Sequence, residues 1–185
     1  MLFLSLGSNL GNRAQYLKHA LFLLHREVGE VVSISPLYES PAWGFSSTPF
    51  YNICAQLHTT LPLEALLPKF HAIEARLGRV RSSSPEQGYK ARTLDIDILY
   101  YGDTLLNTDT LCVPHPHLAL RRFVLQPLAD IAPDFVDPNA RQTITQLLQV
   151  CPDTATLTVV AQDFSLPVNK ANIPYHYITV EGNIG

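Results

Sequence analysis

The sequence is short of the residues that mark secreted and membrane proteins. Its 185 residues include three cysteines and a single tryptophan. Cys54, Cys112 and Cys151 are odd in number and far apart, which argues against a disulfide framework and favours reduced thiols in a cytoplasmic protein. No basic stretch precedes the apolar start, and no apolar run approaches the ~18 residues of a membrane span. We therefore expect neither a signal peptide nor a membrane partner.

Basic residues are also scarce, and they are distributed unevenly along the sequence. Thirteen Lys and Arg against 16 Asp and Glu give a net charge of −3, which disfavours a nucleic-acid partner. Seven of the 13 basic residues fall in two groups, namely Arg76, Arg79, Arg81, Lys90 and Arg92, followed by Arg121 and Arg122. A local basic cluster in a mildly acidic protein is typical of a site for a small anion such as a polyphosphate.

Apolar residues make up 46% of the chain, enough for the core of one domain. Their spacing predicts the order strand, helix, two strands, helix, strand. The predicted elements are a strand at 2–6, a helix from Asn12 to Gly29, strands at 31–35 and 51–59, a helix from Thr60 to Gly78, and a strand at 92–101. This order is typical of an α+β, ferredoxin-like antiparallel sheet with helices packed on it.

Pro68 in the second helix leaves two alternatives, a kink or a later start of regular structure. The chain after residue 101 is predicted to form smaller elements. The remaining predictions are a short hairpin partner at 104–107, irregular chain at 113–118, a short helix at 124–129, an amphipathic helix at 143–150 and an edge strand at 156–161.

The most informative stretch is residues 92–101, RTLDIDILYY. Alternation along a strand places Asp95 and Asp97 on one face, opposite Leu94, Ile96 and Ile98. Two carboxylates in an apolar strand repel each other and resist burial, and a cation between them relieves both problems. Hard oxygen ligands suit Mg²⁺, which also bridges substrate phosphates. The alternative is an ordinary solvent-facing side of a strand.

Two loops are candidates for ligand binding. Residues 40–50 form a long loop with the only tryptophan, Trp43, and its aromatic side chains suggest a platform for a flat ligand. The alternative is that Trp43 closes the edge of the core. The polar segment 82–89 is either a lid beside the basic residues or a simple connection. His115 and His117 suit phosphate hydrogen bonding as well as they suit a metal.

Five stretches together resemble a known family: 6–11, 40–52, 78–81, 92–98 and 113–123. They resemble the 6-hydroxymethyl-7,8-dihydropterin pyrophosphokinases of folate biosynthesis, over about residues 1–160. The resemblance implies that the β,γ-pyrophosphoryl unit of ATP passes to the pterin hydroxymethyl group, leaving AMP. It also implies two Mg²⁺ ions on Asp95 and Asp97, and a pyrophosphokinase domain at 1–161.

The resemblance carries further roles onto individual residues. The residues implied to be catalytic are Arg81, Arg92, Asp95 and Asp97. Those implied to bind ATP are His71, Glu74, Arg79, Arg81, Arg92, Ile98, His115 and Arg121. Those implied to bind the pterin are Ser40, Pro41, Trp43, Phe50, Asn52, Tyr89 and Phe123. Two positions depart from the family pattern, since Tyr89 replaces a frequent tryptophan and Trp43 replaces a smaller apolar residue.

The end of the chain has a different character. Residues 162–185 are predicted to be a linker followed by the truncated start of a second domain. Within them, 177–185 resemble the first strand and phosphate-binding loop of a deoxynucleoside kinase, so a fused downstream kinase domain is expected. An ordinary β-tail is the alternative.

Two other functions compete with the pyrophosphokinase. A ligand-sensing module of the same fold would bind nucleotide without turnover, and the paired acids with five arginines argue against it. A nucleic-acid-binding domain is disfavoured by the net charge.

Overall fold

The computed structural model describes residues 1–81 and 91–160. The predicted lid at 82–88, Tyr89 and the tail at 162–185 lie outside these ranges. The strands are β1 (Leu2–Ser8), β2 (Glu30–Ile34), β3 (Tyr38–Ser40), β4 (Phe50–His58), β5 (Asp95–Tyr101), β6 (Leu106–Asn107), β7 (Cys112–Val113) and β8 (Thr158–Val159). The helices are α1 (Arg13–Glu27), α2 (Leu63–Arg76), α3 (Arg122–Ile131) and α4 (Ile144–Gln149), with a 3₁₀ turn at Leu118–Leu120 before α3.

The main sheet is antiparallel and has the order β5-β1-β4-β3-β8, with β2 also pairing with β4. β1 lies between the other two long strands. Its Gly7 is opposite Asn52 of β4 on one side and opposite Asp95 of β5 on the other. The order β1, α1, β2, β4, α2, β5 with this pairing confirms the predicted α+β, ferredoxin-like fold.

The two faces of the sheet bury separate cores because side chains alternate along each strand. Leu4 and Leu6 pack with α1 and α2 in one core, which also contains Ile96. Phe3 and Cys54 pack with α3 and α4 on the opposite face. A register shift between Phe3 and Leu4 marks a bulge in the pairing of β1 with β5, so that Leu99 and Tyr100 both join the second core.

Most predicted elements are confirmed with small shifts in their ends. Asn12 caps α1, since its Oδ1 accepts from the Gln15 N–H at 3.2 Å. Thr143 caps α4 with a capping box. α2 runs through Pro68, which answers the question that the sequence left open.

Three local predictions are wrong. α2 begins at Leu63 after Pro62 and not at Thr60, because Thr60 lies in the connection that follows β4. β5 begins at Asp95 and not at Arg92, whose backbone instead bonds with Asn9. Residues 106–107 pair with β7 and not with β5, which has β1 as its ladder partner.

A buried hydrogen bond connects β5 to the segment between α3 and α4. Tyr100 is fully buried, and its hydroxyl donates to Oδ2 of Asp137 at 2.7 Å. Oδ1 of Asp137 accepts from the N–H groups of Asn139 and Ala140. Burial and this carboxylate raise the pKa of Tyr100 well above its ordinary value. The Asp137 charge is therefore satisfied by donors from two parts of the chain.

In the described part of the chain, no helix has both the length and the apolar character needed to cross a membrane.

Tyr100→Phe should lower the free energy of unfolding by about 1.5–3 kcal/mol, since it removes a donor from a buried carboxylate. Tyr101→Phe is the matched control, because the Tyr101 hydroxyl donates to the uncharged carbonyl of Leu61 at 2.8 Å. Its loss should cost about 0.5–1.5 kcal/mol. Urea denaturation measures both. Equal losses, or a larger loss for Tyr101→Phe, would contradict the role given to Asp137.

Candidate active site

A cleft lies on the face of the sheet that carries Asp95 and Asp97. Both aspartates line it, and the alternation of β5 sends Ile96 into the core below. Ser5 and Gly7 of β1 form the floor beside them, since Ser5 is opposite Asp97 and Gly7 opposite Asp95. The predicted position of the carboxylate pair, on one face of a strand and opposite apolar residues, is confirmed.

Small residues on β1 keep the cleft open. A Cβ atom at Gly7 would lie 3.2 Å from Oδ1 of Asn52 and 3.5 Å from the ring of Phe50. A side chain there would therefore fill the space between β4 and β5. The cleft has about 520 Å³ of empty space, counted to its open mouth, which lies within the range of small-molecule sites.

Two arginines neutralise Asp95. Nη1 of Arg79 donates to Oδ1, and Nη1 of Arg92 donates to Oδ2 at 2.8 Å. Arg79 also donates to Oε1 of Glu74 at 2.6 Å. Both oxygens of Asp95 thus accept hydrogen bonds from guanidinium groups, which favour the charged form of the carboxylate.

Glu74 of α2 holds Arg79 and Arg81 in place from a buried position. It is 1% exposed, forms ion pairs with Arg79 and Arg81, and accepts the backbone N–H of Ile96 at 2.9 Å. A buried carboxylate with this many donors is a fixed counter-charge. Glu74 was predicted from the family resemblance to bind ATP, and its contacts in the structure are with the arginines.

The surroundings of Asp97 and His115 shift the pKa of each side chain in the direction that favours its uncharged form. Burial, and then the nearby Asp95 charge, raises the pKa of Asp97 to about 7, although Arg121 acts in the opposite direction. Burial, and then the charges of Arg121 and His117, lowers the pKa of His115 to about 4. At neutral pH His115 is therefore an uncharged hydrogen-bonding group.

The other side of the cleft is aromatic. It is lined by the predicted pterin residues Ser40, Pro41, Trp43, Phe50, Asn52 and Phe123, together with Phe45. Asn52 is 2% exposed, and its Nδ2 donates to Oγ of Ser40 at 2.8 Å. The structure brings these residues into one cleft with Arg92, Asp95, Asp97 and Arg121.

Two of the eight predicted ATP residues, Arg92 and Arg121, line the cleft. Arg79 and Glu74 lie next to it through the ion pairs described above.

The other four predicted ATP residues do not line the cleft. Ile98 is buried in the core on the opposite face of β5, so its side chain does not line the cleft. His71 is exposed on α2. Arg81 is half-exposed in its ion pair with Glu74, and the ring of His115 lies 6.0 Å from that of His117.

Sequence reasoning gave no role to Asn9, which connects the two sides of the site. Asn9 is 1% exposed, and its Nδ2 donates to Oγ of Ser47 and to the carbonyl of Thr48, both at 3.1 Å. Its Oδ1 accepts from the Arg92 N–H at 2.8 Å, and its own N–H donates to the Arg92 carbonyl. The only signal in the sequence was an asparagine in the turn after β1, which predicts a turn equally well.

The cleft therefore has the parts of a nucleotide-dependent transferase site, namely paired carboxylates, converging arginines and an aromatic pocket. Residues 3–133 match the family model of 7,8-dihydro-6-hydroxymethylpterin-pyrophosphokinase (HPPK). The chain belongs to this family.

Individual relatives support this assignment. The chain is 41% identical over 152 residues to the 2-amino-4-hydroxy-6-hydroxymethyldihydropteridine pyrophosphokinase of Pseudomonas aeruginosa, covering 81% of this chain and 91% of the relative. It is 39% identical over 155 residues to the enzyme of the same name from Synechocystis, covering 83% and 77%.

A solved structure supports the fold. The Plasmodium falciparum HPPK-DHPS triple mutant (S436F/A437G/A613T, with STZ-DHP) superposes with a TM-score of 0.67 at 16% identity. The match covers 80% of this chain but only 42% of that one, so this chain spans less than half of that structure's length.

Asn9→Ala should lower the free energy of unfolding by about 1–3 kcal/mol, because it removes three part-buried hydrogen bonds of the Asn9 side chain. Since it releases both the 47–48 segment and the Arg92 N–H, it should raise the KM for the pterin and the KM for ATP. Ser47→Ala removes one of the bonds and should have a smaller effect on both quantities. If Asn9→Ala changed neither stability nor the pterin KM, Asn9 would not hold the loop.

The raised pKa of Asp97 predicts a pH dependence of stability in EDTA. Between about pH 4 and 7 the native state holds a proton that the unfolded state releases, so this group destabilises the fold as the pH rises through that window. Asp97→Asn should remove this loss, so its stability relative to the wild type should increase between about pH 4 and 7, by up to about 4 kcal/mol.

Thermal unfolding across this range tests the prediction, with the exposed Asp103→Asn as control. A constant difference between Asp97→Asn and the wild type at all pH values would show that the native pKa of Asp97 is not raised.

Proposed function

We propose that this chain transfers the diphosphoryl group of ATP to the hydroxymethyl group of 6-hydroxymethyl-7,8-dihydropterin in folate biosynthesis, giving AMP and the pterin diphosphate. The observation that carries the proposal is the placement of Asp95 and Asp97 in one cleft with Asn52 and its aromatic neighbours. Membership of the family supports the same reaction.

The separation between the two sides of the cleft suits this reaction. Asn52 and Asp95 lie on strands that flank β1 at Gly7, so their backbones are roughly 10 Å apart, twice the strand spacing. A pterin against β4 would direct its hydroxymethyl group across Gly7 towards phosphates held above β5. Such positioning supplies much of the rate enhancement in a phosphoryl-type transfer.

We propose that Asp95 and Asp97 hold Mg²⁺, with two ions expected. No group of three or more metal-binding side chains occurs within residues 1–81 and 91–160, and Mg²⁺ needs none, since one or two carboxylates and the substrate phosphates suffice. Arg79 and Arg92 occupy both Asp95 oxygens in the structure, so Mg²⁺ would share or replace these contacts on binding. When bound, Mg²⁺ would supply charge neutralisation on the triphosphate.

The arginines would bind the ATP phosphates and neutralise the negative charge that shifts among the phosphate oxygens during transfer. Arg92 and Arg121 line the cleft, and Arg79 is held beside Asp95 by Glu74. Arg81 lies at the end of the described segment, where it would approach the phosphates after leaving Glu74. His115, uncharged at neutral pH, would donate or accept a hydrogen bond without adding to the repulsion among the arginines.

The pterin would be recognised by shape and by hydrogen bonds. Asn52 directs its Oδ1 towards the space above Gly7, where it would accept a donor on the pterin edge while Nδ2 stays on Ser40. Trp43, Phe50 and Phe123 would contact the ring faces. No nucleophile of the protein is needed, because the substrate alcohol attacks, and burial raises the pKa of the Cys54 thiol far from the reactive range.

The proposal is tested by incubating the protein with MgATP and the hydroxymethyl pterin and separating the nucleotides by chromatography. AMP should form in equal amount to the pterin diphosphate, and EDTA should stop the reaction. ADP as the product would show a simple kinase. Binding of ATP without any product would favour the sensing module.

Asp95→Asn and Asp97→Asn should each lower kcat at least 100-fold, because each removes charge from the proposed metal site. Circular dichroism would confirm that both variants fold. Asp103→Asn, in an exposed turn, is the control and should keep wild-type turnover. Normal turnover in either site variant would contradict the metal assignment.

A further inference from the structure

Trp43 touches more than the pterin side of the cleft. The Cζ atom of Arg121 lies 4.6 Å from the centroid of the Trp43 ring. The ring of His117 lies 6.1 Å from the same ring. Trp43 belongs to the 40–50 loop, whereas Arg121 and His117 belong to the segment that leads into α3, so this contact joins two parts of the chain that are distant in sequence.

The contact has the geometry of a cation–π interaction. Arg121 is 7% exposed, and its guanidinium carbon also lies 5.8 Å from the ring centroid of Phe123. A guanidinium this deeply buried has lost most of its hydration, and an aromatic face compensates part of that loss. Tryptophan has the most favourable ring for this purpose.

The backbone of Arg121 is already fixed. Its carbonyl accepts from the N–H groups of Val124 and Leu125 in the first turn of α3. The ring of Trp43 is therefore one of the groups that determine where the side-chain charge of Arg121 lies within the cleft.

We propose that Trp43 is a positioning residue for Arg121. Through this contact, the 40–50 loop sets the affinity of the cleft for the ATP phosphates before any pterin binds. The inference rests on the proposed function only in taking ATP as the anion. A residue that served the pterin alone would leave ATP binding unchanged in the absence of the pterin.

The same contact links the two substrates. A pterin that packs on Trp43 would change the surroundings of Arg121, and ATP on Arg121 would change the surroundings of Trp43. Because such coupling is reciprocal, each substrate should alter the affinity for the other by the same factor.

The test is the dissociation constant of a non-hydrolysable ATP analogue with Mg²⁺ and without pterin, measured by calorimetry. Trp43→Leu should bind the analogue roughly fivefold more weakly, and Trp43→Phe, which keeps a ring, should stay within about twofold of the wild type. Phe22→Leu is the control, since the Phe22 ring faces the guanidinium of Arg26 on α1, outside the cleft, and its ATP affinity should not change. Wild-type affinity in Trp43→Leu would overturn the proposal.

Fluorescence gives a second measurement that needs no loop variant. Trp43 is the only tryptophan in the sequence, so emission of the ligand-free protein reports on its surroundings alone. Arg121→Met should change the emission spectrum, and the neighbouring Arg122→Met should not. An unchanged spectrum in Arg121→Met would also overturn the proposal.

The failure of this inference is distinguishable from failure of the proposed function. A wild-type protein that forms AMP from ATP and the pterin, but whose Trp43→Leu variant binds ATP normally, loses only the positioning role. A protein that forms no AMP, yet shows the predicted loss of ATP affinity, keeps that role and loses the proposed reaction.

Discussion

The balance of charge around Asp95 is the constraint on which the site depends. A carboxylate on a strand whose other face is the hydrophobic core needs positive partners. Arg79 and Arg92 supply them, one to each oxygen. Glu74 then balances Arg79 from a buried position and fixes the start of β5 through the Ile96 N–H. Charges of alternating sign therefore form a network that extends from Glu74 of α2 to Asp95 of β5.

The second constraint is space. β1 crosses the middle of the sheet, and its cleft-facing positions are occupied by Ser5 and Gly7. Because these residues are small, the polar side at β5 and the aromatic side at β4 open into the same cleft. Asn9, at the end of β1, then holds the aromatic loop and Arg92 to a common point. β1 therefore supplies the floor of the cleft, and the residue after it holds the 40–50 loop and Arg92 in place.

Part of this arrangement could be predicted from the sequence because it follows from local periodicity. The alternation in residues 92–101 placed Asp95 and Asp97 opposite Ile96, and the order of elements predicted the fold. The hairpin of β6 with β7 was missed because strands of two residues show no periodicity, and the partner of 106–107 is decided by tertiary pairing.

The connecting roles could not be predicted in the same way. Asn9 bonds with residues 38, 39 and 83 positions away, and nothing in the local pattern indicates such partners. Glu74 follows helical spacing like any residue of α2, yet it is buried with arginines. The roles of Asp95, Asp97 and the pterin residues in binding stay predictions that the geometry supports.

We propose that Asp95 and Asp97 hold the divalent cations that bind the triphosphate. Mn²⁺ can replace Mg²⁺ as a paramagnetic probe, and its electron spin resonance signal counts bound ions in the presence of a non-hydrolysable ATP analogue. We predict two ions per chain in the wild type and fewer in Asp97→Asn at the same analogue saturation. Equal numbers of bound ions in the two proteins would contradict the account.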